Sequence, residues 1–445
     1  MNVNNTIIKA RSEGRHLCQR KTLTFFIFII GIVVMGTVRI NHYQLNVLPQ
    51  SEEDDTNKVI GSGEDDKEEQ RPLDSKSKWQ NNNSSEDMSV EVEQLSRAYP
   101  VWINNRRLID SNSRPYDWCV SEDIAKNDDS PKGLLFVKVD KSGSSTGAGV
   151  TLRIRDGLSR RLSHANQTAS INCFAHYEHS NAKKLGFQKR DASQSFLWSI
   201  VREPAQRSLS HYFFFHASRN NRTATEDRVI SALKNQPLGK NYQSKYLDLP
   251  NQTMLAPSKP ADRIINGYDF LAVNERMDES LVVLALLARV PLADVVVFSS
   301  KIAGGYDGGG SKRGCVKIKK KWTTPKIDEY ILDDYKSANR DDYLLYDAAQ
   351  RSLDKTIDAL GRQRVEKNVA LLKRLRLQNE EECASEVTWP CPEPEDQEEK
   401  EEHKRLTSES CYELDLGCGH ACTDVALADH AEAEWANITS LQYQD

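Results

Sequence analysis

Residues 134–146 read LLFVKVDKSGSST and residues 196–213 read FLWSIVREPAQRSLSHYF. Each begins as a short, uninterrupted apolar run with β-branched and aromatic residues. That is the pattern of a strand buried on both faces, which parallel sheets require. The first run, 134–139, ends in a Ser/Gly turn, after which 146–162 has helical length. The second run, 196–201, ends at Arg202-Glu203-Pro204. Proline is favoured in the first turn of a helix, and Leu209 and Phe213 then share a face at i, i+4 spacing. A third segment, 275–288 (ERMDESLVVLALLA), is acidic first and apolar after, as a helix N-terminus should be. Strand–turn–helix occurring twice predicts an α/β fold with a central parallel sheet flanked by helices.

The two turns carry the chemistry. Lys141-Ser142-Gly143-Ser144-Ser145-Thr146 opens a helix. The N–H groups of a first helical turn have no intrahelical acceptor and sit at the positive end of the dipole, so a loop of small hydroxyl residues there suits an anion. The Walker pattern GxxxxGK[ST] is absent, and the lysine stands at the start of the loop. An ordinary Gly/Ser turn is the plain alternative. In the second turn, Arg202 and Ser210 are eight apart. A guanidinium at a strand tip and a hydroxyl two turns into the helix can hold a second, separate phosphate.

KSGSST resembles the 5′-phosphosulfate loop of sulfotransferases, and the run from Arg202 through Ser210 into His211-Tyr212-Phe213 resembles their 3′-phosphate motif. ERMDESLVVL and DDYLLYDAAQRSLDKTI (341–357) are similar to stretches of the galactose 3-O-sulfotransferase branch, membrane-anchored Golgi enzymes acting on galactosyl glycans and glycolipids. The similarity covers about residues 132–361. It implies a P-loop-like sulfotransferase fold and, as co-substrate, 3′-phosphoadenosine-5′-phosphosulfate (PAPS). Lys141 would steady the leaving phosphate, Ser142, Gly143, Ser144, Ser145 and Thr146 would hold the 5′-phosphate, and Arg202 and Ser210 the 3′-phosphate. The step implied is in-line sulfuryl transfer to a carbohydrate hydroxyl, without a metal. The base would come from Cys173-Phe174-Ala175-His176-Tyr177-Glu178-His179. Related glycan 2-O-sulfotransferases carry His-Gly-His there and this chain has His-Tyr-Glu-His, which leaves His179, His176 and Glu178 open.

Outward from this centre, the 445-residue chain divides by composition. The apolar run 23–38, preceded by Lys9, Arg11, Arg15, Arg20 and Lys21, predicts a cytosolic tail (1–21) and a single transmembrane signal anchor (22–40) of type II topology, a cleaved signal peptide being the alternative. Residues 41–97 are too polar to offset ordering entropy and read as a disordered stem. The catalytic domain is expected at 98–378 and a polar, Cys-containing tail at 379–445. Eight cysteines beyond the anchor form an even set, and an oxidising lumen, the Golgi's by resemblance, would pair them, with zinc at the C-terminal cluster as the alternative. Sequons at Asn82, Asn83, Asn166, Asn221, Asn251 and Asn437 fit a secretory glycoprotein. A net charge of −5 gives no global field for nucleic acid. The basic loop 312–321 (KRGCVKIKKK) reads either as a lid over an anion or as a solvated face. Trp198 is expected in the core and Arg207 on the surface. The alternatives to a sulfotransferase are a nucleotide-dependent kinase or glycosyltransferase, whose metal-binding acids would be Asp333-Asp334 or Asp341-Asp342, and an inactive membrane-anchored binding protein.

Overall fold

The computed structural model describes residues 100–102, 116–126, 130–166, 171–250, 259–298, 303–307, 316–386 and 420–440. The expected tail, anchor and stem at 1–97 lie outside them. Among the described residues no helix is long and apolar enough to cross a membrane.

Four strands form one all-parallel sheet: β1 (Gly133–Val137), β2 (Ala175–Glu178), β3 (Ser195–Val201) and β4 (Phe270–Val273), in the order β2-β1-β3-β4. The α/β architecture predicted from the two apolar runs is therefore present. Every residue of β1 and β3 is buried. Phe136 of β1 stands beside Trp198 of β3 in register, their ring centroids 4.5 Å apart. Burying side chains of this size contributes about 1.5–3 kcal/mol each, which makes the central pair of strands the anchor of the fold.

Helix α1 (Ser144–Asn166) follows β1 and packs across β1, β2 and β3. Its approach depends on Gly147, where an added Cβ would come within 2.3 Å of Phe136 Cζ and 2.9 Å of Ile200 Cδ1. After β3 comes α2 (Pro204–His211), with Glu203 capping it by accepting from the Gln206 N–H at 2.6 Å. It runs directly into a π-helical stretch, Tyr212–Arg219. Leu209 and Phe213 share a small second core with Val229 and Leu233, as their spacing predicted. The short helices α3 (Glu226–Asn235), α4 (Tyr242–Leu247) and α5 (Pro260–Gly267) lead to β4. A 3-10 turn, Asn274–Arg276, then opens α6 (Met277–Ala288), so the expected helix starts two residues later than its acidic run. A two-stranded ribbon, β5 (Tyr306–Asp307) with β6 (Val316–Lys317), precedes α7 (Pro325–Tyr330), α8 (Arg340–Leu360) and α9 (Arg362–Cys383).

The expected domain boundary at 378/379 falls inside α9. Beyond it, α10 (His420–Ala426) and α11 (Ala428–Ser440) belong to the main body, with Leu427 and Ala431 in its core. Arg153 and Arg160 of α1 reach Asp424 at 3.0 and 2.9 Å, the Arg161 guanidinium lies 5.0 Å from the Trp435 ring centre, and the Leu292 N–H donates to Glu434 Oε2 at 2.9 Å. The polar composition of the tail misleads because Leu427, Ala431 and Trp435, few as they are, pack against the core. Disulfides join Cys383 to Cys422 and Cys119 to Cys173. Cys315, Cys391, Cys411 and Cys418 lie outside the described residues.

The first described residues enter the fold at the amino ends of the strands. Trp102 is buried against Phe270, the first residue of β4, and its N–H donates to Thr356 Oγ1. Trp118 packs on Phe196, the Phe174 N–H donates to the Val120 carbonyl at 2.8 Å, and Cys173 lies two residues before β2.

Candidate active site

In an open parallel sheet, the strand order reverses at one point, and the crevice at the carboxyl ends of the strands flanking it receives ligands. Here that point lies between β1 and β3. The loop after β1 is the KSGSST turn, and the residue after β3 is Arg202. A cleft of about 510 Å³ opens there, lined by Asp140, Lys141, Gly143, Ser144, Ser145, Thr146, His179, Arg202, Ser210, Phe214, Arg219, Asn274, Lys319 and Lys321, among others.

The loop has a fixed shape. Lys141 takes a left-handed conformation (φ 63°), as does Gly143 (φ 91°), where a Cβ would stand 2.7 Å from Asn274 Oδ1. Ser142 is buried, and its hydroxyl donates to the Val139 carbonyl at 2.9 Å. Its expected role as a phosphate donor is therefore corrected. Ser142 closes the turn from inside, whereas Ser144, Ser145 and Thr146 begin α1 and face the cleft. The Lys141 ammonium sits 3.5 Å from the Phe214 ring centre, a cation–π contact.

Arg202 ties the two turns together. Its Nη1 donates to the Lys141 carbonyl at 3.0 Å, its N–H donates to Gln243 Oε1, and Gln243 Nε2 returns a bond to its carbonyl. Nε stands 3.8 Å from Glu275 Oε1, and no acceptor lies within hydrogen-bond distance of this buried nitrogen. Ser210 lies one helix later on the same wall.

Of the three candidate bases, His179 lines the cleft. Its Nδ1 is 3.0 Å from the Lys138 carbonyl and 3.2 Å from Asp140 Oδ1. A carbonyl only accepts, so Nδ1 carries the proton and the basic lone pair is on Nε2. His176 does not reach the cleft. It lies within β2, in register with Leu135, edge-on to Phe187 at 5.3 Å and 3.6 Å from Glu178 Oε1. Strand alternation explains this: His176 and Glu178 share a face at i, i+2, and His179 is past the strand end, at the carboxyl edge where ligands bind.

Four charged residues of the cleft had no individual role assigned from the sequence. Asp140 immediately precedes the Lys141–Thr146 loop, and Arg219 lies beyond the helix motif. Lys319 and Lys321 belong to the basic loop and line the cleft wall. Lys321 Nζ donates to Gln206 Oε1 at 3.0 Å, and burial, then the charge of Arg202, draws its ammonium down to about 8. A run of lysines carries no periodicity, so only the fold could place them.

Two other readings need revision. Arg207 is buried, not on the surface. Its guanidinium lies 4.5 Å from the Tyr242 ring centre and Nη2 donates to Ser208 Oγ at 2.9 Å. Of the acids weighed as metal ligands, Asp342 is buried and accepts from the Gln243 and Ser244 N–H groups, Asp341 accepts from Asn241 Nδ2, and Asp333 and Asp334 are exposed on the π-helical stretch Ile331–Tyr335. The bonds of Asp341 and Asp342 hold the start of α4, which carries the Gln243 that grips Arg202.

No family model, no curated protein and no solved structure matches the chain.

Proposed function

We propose that the chain is a PAPS-dependent sulfotransferase that sulfates a carbohydrate hydroxyl, the galactose 3-OH being the first to test. The observation that carries this reading is the pairing of two anion cradles, the 141–146 loop and Arg202, on neighbouring strand ends, bound to each other through the Lys141 carbonyl. A nucleoside with phosphate groups at both its 3′ and 5′ positions needs two such cradles. The donor set also fits. Five cations line the cleft (Lys141, Arg202, Arg219, Lys319 and Lys321), Arg202 keeps a buried N–H without an acceptor, and Lys321 has a weakened hold on its proton through burial and the charge of Arg202.

When bound, PAPS supplies an activated sulfuryl group on the 5′-phosphate. The N–H groups of Ser144, Ser145 and Thr146 with Lys141 would hold that phosphate and balance the charge it gains as the S–O bond breaks. Arg202 and Ser210, with Lys319 and Lys321 alongside, would hold the 3′-phosphate. His179 would take the acceptor hydroxyl's proton on Nε2 as the new O–S bond forms. The sulfotransferase-type fold, the anchor at 22–40, the stem at 41–97 and residence in the Golgi membrane with the catalytic domain in the lumen belong to the same proposal. They rest on the resemblance and on the apolar and polar runs, and the two disulfides and the exposed Asn221 and Asn437 sequons suit an oxidising, glycosylating compartment.

The test is sulfate transfer from PAPS by the full-length chain to β-galactosides and a panel of other glycans, with ATP and sugar nucleotides as alternative donors. Transfer from PAPS that falls about 10²–10³-fold in both Lys141→Ala and Arg202→Ala is the expected result. A folded chain that neither binds 3′-phosphoadenosine-5′-phosphate nor transfers sulfate refutes the reading. Transfer from one of the other donors replaces it.

A further inference from the structure

We propose that Asp140 is a positioning residue that, with Tyr242, fixes the tautomer and raises the basicity of His179. The inference rests on the reading of His179 as a base, and it adds two residues to which the sequence motifs assign nothing. Asp140 leaves β1 immediately before the anion loop, and its two carboxylate oxygens are both engaged. Oδ1 is 3.2 Å from His179 Nδ1, and Oδ2 accepts from the Tyr242 hydroxyl at 3.2 Å. Tyr242 is held in turn, buried in the core beneath the Arg207 guanidinium at 4.5 Å. Burial and the Asp140 charge push its phenol far above the ordinary range, so it stays a hydrogen-bond donor.

The side chains thus form a row, Arg207, Tyr242, Asp140, His179, running from the core to the cleft. Its two inner members are buried and its outer member is half exposed. This is the arrangement a base needs. The Lys138 carbonyl and Asp140 keep the proton on Nδ1, and the carboxylate stabilises the imidazolium that forms when Nε2 takes a proton. The other charged groups are Lys141, Arg202, Arg219, Lys319 and Lys321 in the cleft wall, which oppose protonation of the imidazole, and Glu178, which precedes it and turns toward His176. Asp140 is the one acid lining the cleft among the described residues, so its removal takes away the carboxylate that the imidazole contacts.

The experiment is a titration of His179 by NMR in the full-length chain labelled with [13Cε1]histidine, assigned with His179→Asn, alongside the transfer kinetics. In Asp140→Asn the His179 titration should fall by about one pH unit, the lower end of the shift a neighbouring opposite charge produces. If the transfer reading holds, kcat should fall about 10²-fold, the acid limb of its pH profile should move down with the titration, and the KM for PAPS should stay unchanged. Tyr242→Phe leaves the carboxylate but releases its second oxygen, and should lower kcat about 3–10-fold at unchanged donor KM. It serves as the test if Asp140→Asn does not fold. An unmoved His179 titration in Asp140→Asn, or an unmoved kcat in a folded Tyr242→Phe of an active enzyme, overturns the proposal. A lowered titration in a chain that transfers no sulfate even as wild type leaves the Asp140–His179 pair standing and refutes the reaction.

Discussion

Lys321 makes the anion-binding reading of the cleft quantitative. Its ammonium is drawn down to about 8 by burial and by Arg202, with Glu275 and Glu203 offsetting part of that effect. A phosphate placed beside it favours the charged form. If the ligand binds only that form, the apparent Kd scales as one plus ten to the power (pH − 8). Affinity then changes little up to about pH 7 and weakens about 10-fold between pH 7 and pH 9, equivalent to ~1.4 kcal/mol. The ligand's own phosphates lose their second proton near pH 6 and add no slope above neutrality. The assay is calorimetric titration of the full-length chain with 3′-phosphoadenosine-5′-phosphate, in buffers of different ionisation heat. Binding at about pH 9 should take up close to one proton, whereas at about pH 7 the uptake should be near zero. Lys321→Met should bind more weakly at neutrality and show no pH slope. An identical slope in the variant, or proton release on binding, would show that Lys321 does not meet the anion and would refute this account of the basic loop.

Three other outcomes follow from the scaffold. Gly147→Ala should destabilise the fold by about 1–3 kcal/mol, because the Cβ meets Phe136 and Ile200 inside van der Waals contact and the gain in helix propensity is only ~1 kcal/mol; thermal unfolding reads it. His211 is held down to about 4, chiefly by burial and next by Arg207. The unfolded chain therefore binds that proton first as pH falls below about 6.5, and stability should drop by about 2.5 kcal/mol between pH 7 and 4.5, measured by urea unfolding, with the slope lost in His211→Gln. Cys422→Ser removes a link between residues 39 apart, and limited proteolysis should then cut ahead of α10 while transfer survives, since no cleft residue comes from α10 or α11.

The sheet centre could be read from the sequence because β1 and β3 are buried on both faces, so their apolar runs are unbroken and their ends sharp. The anion loop was legible for the same reason: its position is set by where the strand stops. β2 was not. Ala-His-Tyr-Glu is an edge strand with partly exposed residues, so it carries no apolar run, and without its end point His176 and His179 could not be told apart. Arg207 illustrates a different limit. Helical spacing put it off the Leu209 face, but it could not show that Tyr242, 35 residues on, covers that side. The tail was misjudged because Leu427, Ala431 and Trp435 are too few to dominate composition, yet from the α10–α11 junction and along α11 they pack on the core.

Because all four strands run the same way, the sheet has one edge where strands begin and one where they end. Trp102, Trp118 and Cys119 enter at the first, and the cleft lies at the second. The described residues therefore begin, at 100–102, on the edge of the sheet remote from the cleft. A load applied at Trp102 would be taken up by two buried tryptophans and a disulfide at that edge, without crossing the Lys141 loop or Arg202. Trp102 and Trp118 would then act as a mooring whose strain is spent at one edge of the sheet while the geometry of the other stays undisturbed.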